Sequence, residues 1–160
     1  MTSSNQQAPA SSLAPAEASS APAYGWSESI PALMDWERET RTGLPEAVYC
    51  TSKSVKQIAG IVLQAQSLER RLLLTRLSEE KWASLPDVQR ASLDYSMLSQ
   101  TAILGPIRSP VREEVGIIAA GIADMPFAEE AARTLAFCGV GSAYIADVGV
   151  AGLWRLMERL

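Results

Sequence analysis

The sequence of 160 residues contains no histidine. Histidine is the side chain whose ordinary pKa lies closest to neutral pH, so its absence removes the most common general acid–base group of enzymes. Its absence also excludes metal sites that are built on imidazole ligands. Proton transfer near neutral pH would therefore have to use a different side chain.

Cysteine is also scarce, because the sequence contains only Cys50 and Cys138. Two cysteines that are distant in sequence and lie outside any CxxC motif do not make a disulfide framework. The N-terminal segment has neither the basic region nor the apolar core of a secretory signal. We therefore expect a cytoplasmic protein with reduced thiols.

Long apolar runs and an excess of positive charge are missing as well. No apolar run reaches the roughly 18 residues that a membrane span needs. Fourteen Lys and Arg residues against eighteen Asp and Glu residues leave a net charge of −4. This balance offers no basic surface for nucleic acid or an anionic membrane, so we predict neither of them as a partner.

The composition that remains is globular, with 48% hydrophobic and 20% charged residues. Residues 1–25 are rich in Ser, Ala and Pro and cannot bury enough surface to offset the entropy of ordering. We predict a disordered tail there, with a docking tail as the alternative. Gly and Pro residues between Gly105 and Pro110 are typical of a connection, and they divide the rest into regions 26–108 and 111–160.

Region 26–108 combines helix and strand patterns. A helix that starts near Ile30 is predicted to end at Gly43, and Ser54 is predicted to cap a second helix. Strands are expected at 46–50, 71–76, 93–97 and 101–104, with a brief helix at 78–85, which makes a small α/β region. The apolar side chains expected on one face of the second helix are Val55, Ile58, Ala59, Val62 and Leu63.

Region 111–160 shows a β-α-β-α order. The apolar run at 115–120 is typical of a strand buried on both faces of a parallel sheet. Pro126 suits the first turn of the next helix, which Gly139 and Gly141 are expected to end, and a second strand at 142–146 precedes a helix from Leu153. This order predicts an incomplete, flavodoxin-like, doubly wound parallel sheet. The helix between the strands is expected to bury Ala128, Ala131, Ala132 and Leu135.

Two glycine-bearing turns follow the strands of this region. Ligands of doubly wound sheets bind outside the carboxyl ends of the strands, where helix N-termini suit phosphate or carboxylate groups. Gly121 and Gly149 would allow a ligand to approach the backbone, and Asp124 and Asp147 lie at the same edge. The structural alternative is that Asp124 only caps its helix and Asp147 only shapes a turn. Neither turn contains a GxGxxG motif or a P-loop.

Cys50 has two interpretations. It follows a predicted strand and precedes Lys53, whose ammonium group could lower the pKa of the thiol. The alternative, which the pattern favours, is a buried structural cysteine.

Three segments resemble the LarB family. They are RTGLPEAVY at 41–49, AGIADMPFAEEA at 120–131 and DVGVAGLWRL at 147–156. The resemblance covers residues 31–160, and the two turn segments are its more specific part. The C-terminal domain of LarB is similar to the PurE aminoimidazole ribonucleotide carboxylases.

This resemblance implies a nucleotide carboxylase and hydrolase. LarB proteins carboxylate the pyridinium ring of nicotinic acid adenine dinucleotide and cleave its phosphoanhydride, toward the nickel-pincer cofactor. The resemblance implies no tightly bound cofactor, with carbon dioxide or bicarbonate as co-substrate and Mg²⁺ as an optional ion. By analogy, Gly121 and Asp124 would border the ribose and phosphate, while Asp147, Gly149 and Arg155 would face the ring and phosphate.

The chain also departs from the family pattern. The family's Thr and Ser in the first turn are replaced by Ile122 and Ala123, and its histidine in the second turn is replaced by Trp154. Family members continue into further strands that carry a catalytic cysteine, which no residue here matches, so the catalytic residues stay unassigned. We interpret the chain as either a fragment of a gene or a truncated and degenerate relative. It is either an impaired enzyme or a non-catalytic relative that binds nucleotide, forms homo-oligomers or pairs with a PurE-like chain.

Overall fold

A computed structural model describes residues 32–107 and 113–159 of the chain. In these ranges the helices are α1 (Arg38–Thr42), α2 (Val55–Ser67), α3 (Glu79–Ala83), α4 (Asp87–Ser92), α5 (Met125–Phe137) and α6 (Leu153–Met157). The strands are β1 (Ala47–Tyr49), β2 (Leu72–Thr75), β3 (Leu93–Ser96), β4 (Thr101–Leu104), β5 (Glu113–Ile118) and β6 (Gly141–Ile145).

The first four strands form one mixed sheet in the order β1-β2-β4-β3. β1 and β2 are parallel and are connected by α2, whereas β4 is antiparallel to both β2 and β3. Ser54 caps α2 as predicted: its hydroxyl accepts a hydrogen bond from the Gln57 N–H, and its own N–H donates to the Gln57 side chain. This reciprocal cap explains why α2 begins at Val55.

Side chains along a strand alternate between the two faces of a sheet, and both faces of this sheet are covered. On one face, Leu73 of β2 and Ile103 of β4 are buried with Phe137 of α5. The opposite face packs against α2. The apolar cluster on that side includes Leu72, Leu74, Ala102, Leu104, Ile58, Ile61, Val62 and Ala65.

β5 and β6 form a second, parallel sheet in which Ile117 lies opposite Tyr144. Helix α5 connects these two strands and packs against both, and it also packs against β2 and β4. The fold is therefore α/β, and the β-α-β-α order predicted for the last region is confirmed. Within the described ranges, none of the helices is long and apolar enough to cross a membrane.

Three predictions for the first region need correction. The helix expected from about Ile30 begins at Arg38 within the described residues. Before it, the Asp35 N–H donates to the Glu46 carboxylate at 2.7 Å, a contact outside any helix. Leu63 is 61% exposed, because it lies one residue beyond the buried stripe of α2. Helix α4, which follows Pro86, was not predicted.

The second region corrects two further predictions. β5 is not buried on both faces, because Val115 is 36% exposed and Ile118 is 71% exposed. Among the described residues β5 pairs only with β6, so less of its surface is covered than in a central strand. Ala131 of α5 is exposed, whereas Ala128 and Phe137 are buried, because this helix divides its buried surface between two sheets.

The two glycines after α5, Gly139 and Gly141, have different roles. Gly139 adopts φ +81° and ends the helix as predicted, because this left-handed conformation suits glycine. Gly141 is instead the first residue of β6. The predicted tail at 1–25, the start of the first predicted helix and the connection around Ser109 lie outside the described residues.

Substitutions on the two sides of α2 test this packing. Ile58→Ala removes a fully buried side chain and is expected to lower the free energy of unfolding by about 2 to 5 kcal/mol. Leu63→Ala on the exposed side of the same helix is expected to change it by less than about 0.5 kcal/mol. Urea unfolding followed by circular dichroism measures both. Equal losses for the two variants would contradict the packing described.

Candidate functional site

The first turn (Gly121–Asp124) follows β5 and leads directly into α5. The Gly121 N–H donates to Asp124 Oδ2 at 3.0 Å, and the Asp124 N–H donates to the Gly121 carbonyl oxygen at 3.0 Å. Pro126 lies in the first turn of α5, as predicted. The structural alternative expected Asp124 to cap α5, but its side chain makes no capping hydrogen bond to that helix. The Asp124 carboxylate closes the first turn instead, and the residue is exposed at the edge of the sheet.

The second turn (Asp147–Gly152) follows β6 and leads into α6. Asp147 adopts the left-handed conformation, with φ +59°, which Asp tolerates better than most residues. Arg155 Nη1 donates to Asp147 Oδ1 at 3.0 Å, and both side chains are roughly half-exposed. The Arg155 guanidinium also lies 5.6 Å from the ring centre of Trp154. One ion pair thus closes the second turn and leaves its charges in reach of solvent.

Backbone hydrogen bonds hold the two turns side by side. The Gly149 N–H donates to the Ala120 carbonyl oxygen at 2.8 Å, and the Val148 N–H donates to the Ala119 carbonyl oxygen at 3.4 Å. A Cβ at Gly149 would lie only 2.8 Å from the Ala120 oxygen. Glycine is therefore required at 149 by the close approach of the two turns. At Gly121 a Cβ would meet only the Asp124 carboxylate, at 3.9 Å.

This arrangement brings the predicted residues to one edge, beyond the carboxyl ends of two parallel strands. Asp124 and Asp147 offer carboxylate oxygens that accept hydrogen bonds from hydroxyl groups. Arg155 offers a guanidinium that can donate to phosphate. Two acceptors and one cation are a combination suited to a sugar phosphate.

Metal binding fits these residues less well. Among the residues that the structure describes, no three Cys, Asp or Glu side chains come close enough together to hold a metal ion. The carboxylate of Asp124 is turned to its own backbone and that of Asp147 to Arg155. These two carboxylates are therefore not assigned to Mg²⁺.

Trp154 lies at the start of α6, beside Arg155. It is 61% exposed, so the indole borders the second turn and is open to solvent. Its N–H can donate a hydrogen bond but cannot accept or shuttle a proton near neutral pH. Trp154 can therefore stack on a flat ring or on Arg155, but it cannot act as a base.

Cys50 is a buried structural residue. The thiol is fully buried and donates to the Val48 carbonyl oxygen at 3.6 Å. Burial raises the pKa of Cys50 to about 11, against the smaller opposing effects of Lys53 and Lys81. Lys53 Nζ donates instead to the Tyr49 carbonyl oxygen at 3.2 Å. The interpretation as a reactive thiol is therefore wrong, because loss of solvation outweighs the nearby positive charge.

Three arginines that the sequence reasoning missed connect the four-stranded sheet with α5. They are Arg71, Arg76 and Arg133. The available signal was a second stripe on α5, in which Phe127, Glu130, Arg133 and Phe137 recur every three or four residues. Only the alanine-rich stripe of the same helix was interpreted as buried.

Comparisons with known proteins cover most of the chain. A family model described as the LarB/PurE-like N-terminal domain matches residues 28–105. The "Uncharacterized protein MJ0165" of Methanocaldococcus jannaschii is 33% identical over an alignment 137 residues long, which covers 79% of this chain and 52% of that relative. The chain thus spans about half the length of the curated relative that it matches.

Gly149 provides a test of the contact between the turns. Gly149→Ala places a Cβ against the Ala120 carbonyl oxygen, so we expect the free energy of unfolding to fall by about 1 to 3 kcal/mol. Gly116→Ala in β5 is the matched control, because a Cβ there meets nothing within 4 Å. Thermal unfolding of both variants measures the difference. A Gly149→Ala variant as stable as Gly116→Ala would show that the turns are not in close contact.

The burial of Cys50 predicts low thiol reactivity. In a Cys138→Ser variant, Cys50 is the only thiol of the chain. At pH 8 we expect iodoacetamide to alkylate it about 100-fold more slowly in the native protein than in urea, because a thiol pKa of about 11 leaves little thiolate. Mass spectrometry follows the reaction, and equal rates in the two states would refute the assignment.

Proposed function

We propose that the chain serves the carboxylation of a nucleotide, on the premise that residues 28–105 match the LarB/PurE-like N-terminal domain. The proposed substrate is nicotinic acid adenine dinucleotide, with carbon dioxide or bicarbonate as co-substrate and the cytoplasm as the compartment. The ring would gain a carboxyl group and the phosphoanhydride would be cleaved, as in the first step toward the nickel-pincer cofactor.

The observation that supports this proposal is the pair of turns joined by the Gly149–Ala120 hydrogen bond. In the proposed binding mode, ribose hydroxyls donate to Asp124, while Asp147, Gly149 and Arg155 face the ring and phosphate and Arg155 donates to the phosphate. The exposed indole of Trp154 offers a surface on which the pyridinium ring can stack. The backbone at Gly121 borders the ribose and phosphate, since its glycine leaves room beside the first turn.

The proposed carboxylation needs a proton acceptor, and none of the residues assigned above provides one. A new bond between a ring carbon and carbon dioxide releases the proton of that carbon, and this proton needs an acceptor. Trp154 stands where the family has a histidine, and indole cannot accept the proton. The catalytic residues therefore stay unassigned, and the residues named here are assigned to binding.

A second candidate function follows from the tryptophan at position 154. The replacement of the family's histidine by Trp154 favours a non-catalytic relative that binds nucleotide or a PurE-like partner chain. Exposed apolar side chains on the second sheet and α6 support a partner surface, either in a homo-oligomer or against such a chain. They include Ile118, Tyr144, Val150, Leu153 and Met157.

One experiment separates the candidates. The purified chain is mixed with nicotinic acid adenine dinucleotide and ¹³C-bicarbonate, and mass spectrometry follows a labelled mononucleotide, while calorimetry measures binding. Turnover by this chain alone supports the enzyme and rejects the non-catalytic relative. Nucleotide binding without turnover supports the relative that binds nucleotide. Absence of binding rejects this binding site, and ultracentrifugation then tests the partner surface by the oligomeric state.

Arg155 allows a sharper test of the binding mode. Arg155→Gln is expected to weaken nicotinic acid adenine dinucleotide about tenfold or more, because a charge-assisted hydrogen bond to phosphate is lost. Arg159→Gln is the matched control, since it removes one positive charge just beyond the same helix, where the residue is exposed. Calorimetry of both variants gives the Kd values. Equal Kd values for the two variants would exclude Arg155 from the phosphate contact.

A further inference from the structure

Helix α5 carries a stripe of side chains that faces the four-stranded sheet along its whole length. At the end of α5 nearest the first turn, Arg76 follows β2 and forms two contacts with the Glu130 carboxylate, at 3.2 Å from Nε and 3.0 Å from Nη2. The same guanidinium lies 5.1 Å from the ring centre of Phe127. A paired guanidinium and carboxylate of this geometry restrict both distance and orientation.

In the middle of the helix, the guanidinium of Arg133 reaches across to β3 and β4. Its Nε donates to Thr101 Oγ1 at 2.7 Å, and Nη2 donates to the Asp94 carbonyl oxygen at 2.7 Å and lies 3.2 Å from Asp94 Oδ2. Thr101 is fully buried and its hydroxyl also bonds Ser99 Oγ at 2.8 Å. The Arg133 side chain is only 15% exposed whereas the Asp94 side chain is 56% exposed, so solvent screens the contact with buried Thr101 the least.

At the far end of the helix, Phe137 is buried against Leu73 and Ile103. Arg71 lies over the Phe137 ring at 4.4 Å and donates to the Phe137 carbonyl oxygen. Apolar packing alone would allow α5 to slide or rotate slightly, because dispersion contacts have little directional preference. The directed contacts of the arginines remove that freedom.

The first turn is joined covalently to this helix, because Asp124 directly precedes Met125, the first residue of α5. A displacement of α5 along the sheet would therefore move the first turn relative to the second turn. We propose that the four-stranded sheet positions the nucleotide edge through α5, and that Arg133 and Arg76 are the positioning residues. The consequence for the ligand rests on the proposed function, whereas the positioning itself can be measured without a ligand.

Hydrogen–deuterium exchange of the full chain tests the positioning. In Arg133→Ala we expect the amides of the first turn and the start of α5 to exchange about tenfold faster, because several charge-assisted contacts are lost. Amides of β1 and β2 are expected to keep wild-type exchange, which separates positioning from general loss of stability. Arg70→Ala is the matched control, because Arg70 pairs with Glu37 in the first region. It is expected to leave the first turn unchanged.

Two outcomes would overturn the proposal. One is wild-type exchange of the first turn in a folded Arg133→Ala variant. The other is an equal increase at the first turn and at β2, since that pattern is general loosening. If Arg133→Ala does not fold, Arg133→Lys keeps the charge but lacks the guanidinium fork. It is expected to raise exchange at the first turn at least about threefold, and wild-type exchange there would equally overturn the proposal.

The ligand readout separates this inference from the proposed function. If the wild-type chain binds nicotinic acid adenine dinucleotide, Arg133→Lys is expected to weaken binding about fivefold while Arg70→Lys leaves it unchanged. Unchanged binding in a folded Arg133→Lys variant would contradict the positioning of the nucleotide edge. If the wild-type chain binds no nucleotide, the proposed function fails, and the exchange data still decide whether the sheet positions the turn.

Discussion

Phe137 is almost fully buried between α5 and the four-stranded sheet, where Leu73 and Ile103 enclose it. Burial of one aromatic side chain of this size stabilises a fold by roughly 2 to 3 kcal/mol. The same helix packs against β5 and β6 with its other side, so this contact connects both sheets. A helix that packs against two sheets needs apolar side chains on more than one side, and α5 buries Phe137 against the four-stranded sheet and Ala128 on a different side of the helix.

The geometry of the candidate site depends on the packing of α5 between the two sheets. The position of the first turn depends on α5, to which it is directly joined. The Gly149–Ala120 hydrogen bond then holds the second turn beside the first. Asp124 and Asp147 are both engaged within the chain, one with the backbone of its own turn and one with Arg155. The two carboxylates are therefore held in place by contacts within the chain, which is the preorganisation that the proposed nucleotide binding would need. These contacts are structural roles of the two residues, and their role toward a ligand stays a prediction.

The match to the LarB/PurE-like N-terminal domain lies in the first region, whereas the proposed nucleotide edge lies in the second. The contacts of Arg76, Arg133 and Arg71 connect the two regions. The proposed positioning role would connect the first region with the candidate site in the second. Cys50 agrees with this view, because its burial raises the thiol pKa and leaves it a packing residue.

Apart from α4, the order of helices and strands could be predicted from the sequence, because it depends on local signals such as the Ser54 cap, Pro126 at a helix start and Gly139 at a helix end. The edge where Gly121, Asp124, Asp147 and Gly149 gather was also predictable, since parallel strands place their carboxyl ends together. The exposure of Leu63 and Ile118 and the two-sided burial of α5 were decided only by the tertiary structure. Periodicity shows that a face of a helix is apolar but not which neighbouring element covers it. The contacts of Arg133 with Thr101 and Asp94 join residues that are distant in sequence, so they exist only in the folded chain.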